Sequence, residues 1–124
     1  MNQSGTREPS LPELRLNPEK NTLSLTFTDG TTSSLPAEFL RVVSPSAEVQ
    51  GHSPSERKLV PGKRNVTIRG IEPVGNYAVR LVFSDGHDTG IYSWSYLYDI
   101  SAKKEALWST YIEEMSQAGL SRDR

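Results

Sequence analysis

The chain has 124 residues, and its 14 Lys and Arg against 15 Asp and Glu give a formal net charge of -1. This balance argues against a nucleic-acid-binding protein, which concentrates positive charge to contact phosphates. Cysteine is absent, which excludes disulfides, thiolate zinc sites, cysteine-ligated clusters and cysteine nucleophiles.

The first part of the chain predicts a loose tail and then a set of strands. Residues 1–12 lack apolar periodicity and are expected to be flexible. Apolar residues alternate with polar ones over 14–16 and 23–27, as in half-buried strands. Asp29-Gly30 predicts a tight turn into a returning strand. Pro36 then fits the first turn of a short helix that ends before Ser44-Pro45-Ser46.

The second part repeats this order after a long loop. Residues 44–65 contain three prolines and several serines and predict that loop. Strands are expected over 66–71, 77–83 and 89–92, the middle one being a central strand covered on both faces. Ser93 is a candidate helix N-cap. An apolar stripe then predicts a longer helix from about residue 101 to Gly119, with these stripe residues: Leu107, Trp108, Tyr111, Ile112 and Met115.

The two parts of the chain share a short sequence pattern. Residues 25–30 and 81–86 share the pattern Leu-x-Phe-[Ser/Thr]-Asp-Gly, and each is followed by a strand and a helical turn. The shared pattern indicates either a true structural repeat or two unrelated hairpins that use the same type of turn. Both interpretations predict an α+β fold with a mainly antiparallel sheet of about five to six strands built from hairpins, a short helix after the first hairpin unit and a longer C-terminal helix. One domain over 13–119 is expected, with a frayed end over 120–124.

Histidine and carboxylates offer one candidate metal site. His87 lies between carboxylates in Asp85-Gly86-His87-Asp88, and His52 lies in the long loop. The side chains of His87, His52, Asp85 and Asp88, together with Glu48, could ligate iron or zinc. A solvated polar turn accounts for the same residues around His87. A catalytic serine in the loop, such as Ser44, would need a neighbouring base, and we expect no catalysis.

Two further patterns suggest a binding surface. Four cations, Arg57, Lys58, Lys63 and Arg64, form a local basic cluster that could meet an acidic partner. Aromatic residues at 92, 94, 96 and 98 could form a contact surface or part of the core. We expect a binding module that uses the long loop and these aromatic residues, with the following candidate residues: Ser44, Ser46, Glu48, His52, Arg57, Lys58, Tyr92 and Trp94.

Four segments carry a family resemblance: residues 27–30, 39–41, 44–52 and 90–97. Together they resemble a bacterial domain family of unknown function that is similar to the N-terminal domain of gamma-butyrobetaine hydroxylase. In those hydroxylases the domain precedes an oxygenase domain, which this chain lacks, so the resemblance implies no oxygenase activity. Similar domains are also fused to ATPases that handle iron–sulfur clusters, which implies at most an accessory role in iron metabolism.

The resemblance also implies where a zinc site would lie. The hydroxylases hold zinc with three cysteines and one histidine, and these positions fall on Ser44, Ser46, Val49 and His87. Neutral hydroxyls and a valine cannot replace thiolates at zinc. We therefore expect a non-catalytic accessory module without a cofactor, which binds an unknown protein or small ligand and neither nucleic acid nor membrane. No stretch approaches the roughly 18 apolar residues of a membrane span, and no apolar signal core is present, so a cytoplasmic location is expected. The alternative is an iron- or zinc-binding accessory protein.

Overall fold

The structure is a computed structural model that describes residues 12–51 and 57–123. It contains two antiparallel three-stranded sheets with helices packed against them. The first sheet has the order β1-β2-β3, with strands Glu13–Leu16, Thr22–Thr26 and Thr32–Pro36. The second has the order β4-β5-β6, with strands Ile68–Val74, Ala78–Phe83 and Gly90–Ser93. The predicted α+β class and six strands are confirmed, while the strands divide into two sheets.

The two Asp-Gly turns have the same hydrogen bonds. Phe27 N donates to Thr31 O at 2.8 Å, and Phe83 N donates to His87 O at 2.9 Å. Gly30 and Gly86 have φ values of 90° and 94°, a region that favours glycine. A helix follows each hairpin directly, α1 (Ala37–Val42) after β3 and α3 (Trp94–Ala102) after β6. The sequence pattern shared by residues 25–30 and 81–86 therefore marks a repeated strand–turn–strand–helix unit.

Strand β5 is central in its sheet, and one of its faces is more completely buried than the other. Val79, Leu81 and Phe83 are buried in the core. On the other face Ala78 is buried and Arg80 and Val82 are half-buried, so the predicted cover on both sides is only partial there. Tyr77 lies in the turn before β5 and is 56% exposed, because the strand begins one residue later than the alternation predicts.

Four helices complete the described fold. The predicted N-cap Ser93 is confirmed, since its hydroxyl accepts the Tyr96 N–H at 3.0 Å. The long loop contains an unexpected short helix, α2 (Ala47–Gln50). The last helix, α4 (Lys104–Gln117), follows α3 and buries Tyr111 and Met115. Among the described residues, no helix has both the length and the apolar character that a bilayer crossing requires.

The main core joins the two sheets with α1 and α3, and a smaller second cluster contains Val42, Tyr111 and Met115. The largest fully buried side chains of the main core come from both units and include Phe27, Phe39, Phe83, Leu97 and Tyr92. Burying a side chain of this size stabilises the fold by roughly 1.5–3 kcal/mol. The end of the chain is attached to this body: Gly62 N donates to Ser121 O at 2.9 Å, and Arg64 N donates to Arg122 O at 3.0 Å.

Candidate functional site

A serine, a histidine and a carboxylate meet between the two units. The Nε2 atom of His87 lies 2.9 Å from Ser44 Oγ, and its Nδ1 atom lies 3.1 Å from Glu48 Oε1. A carboxylate only accepts hydrogen bonds, so Nδ1 carries the hydrogen atom, and in the neutral ring Nε2 accepts from the Ser44 hydroxyl. We call these three residues the Ser–His–Glu cluster.

The cluster is buried at its serine end and open at its glutamate end. Ser44 is 0% exposed and His87 is 6% exposed, whereas the Glu48 side chain is 63% exposed. Burial lowers the pKa of His87, and the positive charge of Arg41 lowers it further. The ring is therefore held neutral to lower pH than an ordinary histidine.

Local hydrogen bonds fix the segment that carries Ser44. The Ser44 hydroxyl accepts the Ser46 N–H at 3.2 Å, and the Ser46 hydroxyl accepts the Glu48 N–H at 3.1 Å, which caps α2. Ser46 Oγ also lies 2.6 Å from Thr89 Oγ1, next to the start of β6. This short helix therefore places Glu48 beside His87, and the loop is attached to the second sheet.

The carboxylates on either side of His87 face cations instead of its ring. Asp85 Oδ2 accepts from Arg41 Nε at 2.9 Å and lies 2.6 Å from Lys63 Nζ. Burial raises the pKa of the Asp85 carboxyl, but the hydrogen bonds from Lys63, the His87 backbone and Arg41 outweigh it and lower the pKa to about 2. Asp88 lies 3.4 Å from Arg80 Nη1.

The predicted metal ligands therefore do not converge. Within 12–51 and 57–123, no three histidine or acidic side chains are grouped so that they could hold a metal ion. The physical reason is that Asp85 pairs with Arg41 and Lys63 and Asp88 pairs with Arg80. Among the carboxylates that the structure describes, only Glu48 contacts the His87 ring. His52, the other predicted ligand and binding residue, lies outside the described residues.

Most of the other predicted binding residues are inside the domain. Ser46, Tyr92 and Trp94 are 7%, 0% and 6% exposed. The Tyr92 hydroxyl donates to Leu40 O at 2.5 Å, and Trp94 Nε1 donates to Asn76 O at 2.9 Å. The aromatic residues at 92 and 94 thus belong to the core, and burial raises the pKa of Tyr92 well above its ordinary value.

Three of the four cations in the predicted basic cluster are neutralised. Arg57 pairs with Glu114 at 2.9 Å, and Lys63 pairs with Asp85 at 2.6 Å. Arg64 pairs with Asp123 near the end of the chain. The four cations therefore do not form a free positive surface, although the Arg57 and Lys58 side chains are exposed within the loop.

A cavity that the sequence did not indicate lies between this loop and α4. Its volume is about 270 Å³. The Tyr96 and Tyr111 hydroxyls are already engaged, since they donate to Val43 O at 2.5 Å and to Val60 O at 2.6 Å. Burial raises the pKa of both hydroxyls to about 12. We call this the loop cavity. Its lining consists of five apolar or aromatic residues, Val42, Val43, Tyr96, Leu107 and Tyr111, and four polar ones, Gln50, Arg57, Thr110 and Glu114.

Comparison with known families identifies the domain. Residues 14–98, most of the chain, match the model of the gamma-butyrobetaine hydroxylase-like N-terminal family. The chain belongs to this family. No curated protein matches the chain.

Solved structures agree with this family assignment. Two solution NMR structures share 48% and 45% of their sequence with this chain, with TM-scores of 0.78 and 0.80. They cover 96% and 98% of this chain, and the matches span 92% and 90% of their own lengths. A crystal structure of a protein of unknown function from Acidithiobacillus ferrooxidans, of the DUF971 family, is 40% identical with a TM-score of 0.62. That match covers 74% of this chain and 93% of the other.

The structure brings together two positions that the family resemblance aligns with zinc ligands. The resemblance in sequence implies that both residues occupy ligand positions, and the structure places their side chains within 2.9 Å of each other. A hydrogen bond joins the two side chains. Val49, at another of the ligand positions, is an apolar residue that is 2% exposed and contributes to the core.

Proposed function

We propose that this chain is a non-catalytic binding module that takes a partner segment or a small neutral ligand in the loop cavity. The observation that carries the proposal is the cavity itself, which is concave and is lined by apolar and aromatic side chains together with a few polar ones. Binding sites in proteins commonly combine these features. The Arg57–Glu114 ion pair in the lining is self-neutralised, which favours an occupant without net charge.

Burial of the Ser–His–Glu cluster supports the non-catalytic part of the proposal. Its order of hydroxyl, imidazole and carboxylate is that of serine hydrolases. A nucleophile has to reach the substrate, yet Ser44 is 0% exposed and its hydroxyl accepts the Ser46 N–H. The cluster instead joins the loop to the second unit across 43 residues of sequence.

Filling the loop cavity tests the proposal. Thr110 is an exposed lining residue on α4, so Thr110→Trp adds bulk without removing a buried side chain. We expect a set of neutral aromatic amide fragments to cause saturable NMR shifts at the amides of Gln50 and Thr110 in the native chain. The variant should lose these shifts.

A matched control places the same substitution away from the cavity. Thr32→Trp on β3 changes another exposed threonine and should leave the fragment shifts intact. The proposal would be contradicted if the native chain showed no saturable shifts at fragment concentrations up to about 10 mM. A dissociation constant above that concentration corresponds to a binding free energy of less than about 3 kcal/mol. Point variants are preferable to replacing the whole loop, because the loop contains the buried Ser44.

A further inference from the structure

A second cavity of about 210 Å³ lies on another side of α4. It lies where the start of α1, the first turn of α4 and the C-terminal segment meet. We call it the terminal cavity, and it is lined by these residues: Pro36, Glu38, Phe39, Lys104, Trp108 and Arg122.

The walls of the terminal cavity are aromatic. The rings of Phe39 and Trp108 are 6.4 Å apart and are inclined at 62°, in an edge-to-face arrangement. The Arg122 guanidinium lies 5.2 Å above the Trp108 ring and holds the C-terminal segment against it. Such walls suit the flat apolar body of a small ligand.

Two of the three charges at the terminal cavity cancel. Arg122 donates to both carboxylate oxygens of Glu38, at 2.8 and 2.7 Å. The Glu38 side chain is only 7% exposed, so this bidentate pair is firmly held and leaves no net charge.

Lys104 provides the remaining charge. Its Nζ atom donates to the Ser34 carbonyl oxygen at 2.8 Å, which is a neutral acceptor. No carboxylate among the described residues lies within ion-pair distance of it, although the neighbouring Lys103 pairs with Asp99 at 3.1 Å. An ammonium group has three donors, so Lys104 has donors left for an anion at the edge of an apolar cavity.

We propose that the terminal cavity binds a small monocarboxylate with an aromatic or apolar body, with its carboxylate on Lys104 and its body packed against the wall formed by Phe39 and Trp108. The volume is below the 300–1,000 Å³ of cavities that hold drug-sized molecules. A ligand of the size of phenylacetate therefore suits it. The site is separate from the loop cavity and does not depend on the function proposed above.

NMR titration of the full chain with three probes of similar shape tests the assignment. Phenylacetate should shift the Trp108 indole and the Lys104 amide saturably, with an affinity about tenfold higher than that of phenylacetamide, which is neutral. Phenethylamine, a cation, should bind more weakly than either. Equal affinities for the carboxylate and the amide would overturn the proposal, as would shifts confined to Gln50 and Thr110 at the loop cavity.

Variants of two adjacent lysines provide the second readout. Lys104→Met keeps an apolar stem of similar length and removes the charge, so it should abolish the preference for phenylacetate over phenylacetamide. Lys103→Met removes a charge that is paired with Asp99 and should keep the preference. If the preference survived in Lys104→Met, the carboxylate would not be bound as proposed.

Discussion

Asp85 and Arg41 lie 44 residues apart in the sequence, and the Asp85 carboxylate accepts the Arg41 Nε–H at 2.9 Å. The first turn makes an equivalent contact with the second unit, because the Asp29 carboxylate accepts a hydrogen bond from the Tyr98 hydroxyl at 2.6 Å. Arg41 and Tyr98 occupy the same place in α1 and α3, the fifth residue of each helix. Each Asp-Gly turn therefore binds the helix of the other unit, and the two units are joined by reciprocal contacts.

Asp85→Asn is expected to lower the free energy of unfolding by about 2 kcal/mol at pH 7. The side chains of Asp85 and Arg41 are only 20% and 12% exposed, and the variant leaves Arg41 and Lys63 without their counter-ion. Urea denaturation measures the change. Asp29→Asn is the matched control and should cost less, because Asp29 is exposed; equal losses would contradict a special role for the second turn.

Gly90→Ala is expected to disrupt the Ser–His–Glu cluster. A Cβ atom at Gly90 would lie 2.5 Å from Ser44 Oγ and 3.0 Å from the Tyr92 ring, so Ser44 or the strand would have to move. Overpacking of this kind typically costs about 1–3 kcal/mol. Thermal unfolding and the NMR shifts of the His87 ring measure the effect.

Gly70→Ala provides the comparison for that substitution. Gly70 also lies in a strand, but its added Cβ atom would meet Val82 at an ordinary 3.6 Å. The free energy of unfolding should change little or increase, because alanine restricts the unfolded chain. A similar loss of stability in both variants would show that strand geometry, and not contact with Ser44, limits position 90.

Acidification is expected to destabilise the fold through His87. Burial and Arg41 hold the pKa of His87 below its ordinary value, which is about 6.5 in the unfolded chain. As the pH falls below about 6.5, the unfolded chain takes up a proton that the folded chain does not, so the free energy of unfolding decreases. Urea denaturation between about pH 7.5 and 5 measures the slope. His87→Gln should reduce it, and an unchanged slope would assign the effect to other groups.

Restoring three thiolates is expected to create a zinc site. The combined substitutions Ser44→Cys, Ser46→Cys and Val49→Cys supply the cysteines at the positions that the family resemblance implies, and Ser44 lies 2.9 Å from the His87 ring. Three thiolates and one imidazole form a common tetrahedral zinc set. Cobalt absorption followed by displacement with zinc should show one bound ion per chain, together with a raised Tm.

The control for the zinc prediction keeps the cysteines and removes the histidine. The same triple variant with His87→Ala should bind cobalt more weakly and with altered absorption, because one of four ligands is lost. Identical spectra with and without His87 would mean that the cysteines bind metal without it. The correspondence of His87 with the family's histidine ligand would then be wrong.

Local patterns in the sequence predicted most of the secondary structure. The period-two alternation in β2 and β5, the Asp-Gly turns, the Ser93 cap and the stripe along α4 each depend on residues within a few positions of one another. These features result from backbone geometry and from burial of one face of a strand or helix. Both depend on residues that are close together in the sequence, so a local pattern is enough to predict them. The short helix α2 was missed, because its four residues lie among prolines and serines that predict a loop.

Contacts between distant residues required the tertiary structure. The pairs Ser44–His87 and Glu48–His87 are separated by 43 and 39 residues, and no local pattern shows that His87 faces Ser44 while Asp85 faces Arg41. The burial of Tyr92 depends on how the two units pack. The neutralised basic cluster and both cavities depend on how the loop, α4 and the C-terminal segment pack against those units. The sequence thus determined the repeated hairpin–helix units. The packing of those units, the loop and α4 decided which polar groups are buried with a partner and which remain available to a ligand, because burial and charge pairing arise only when distant segments meet.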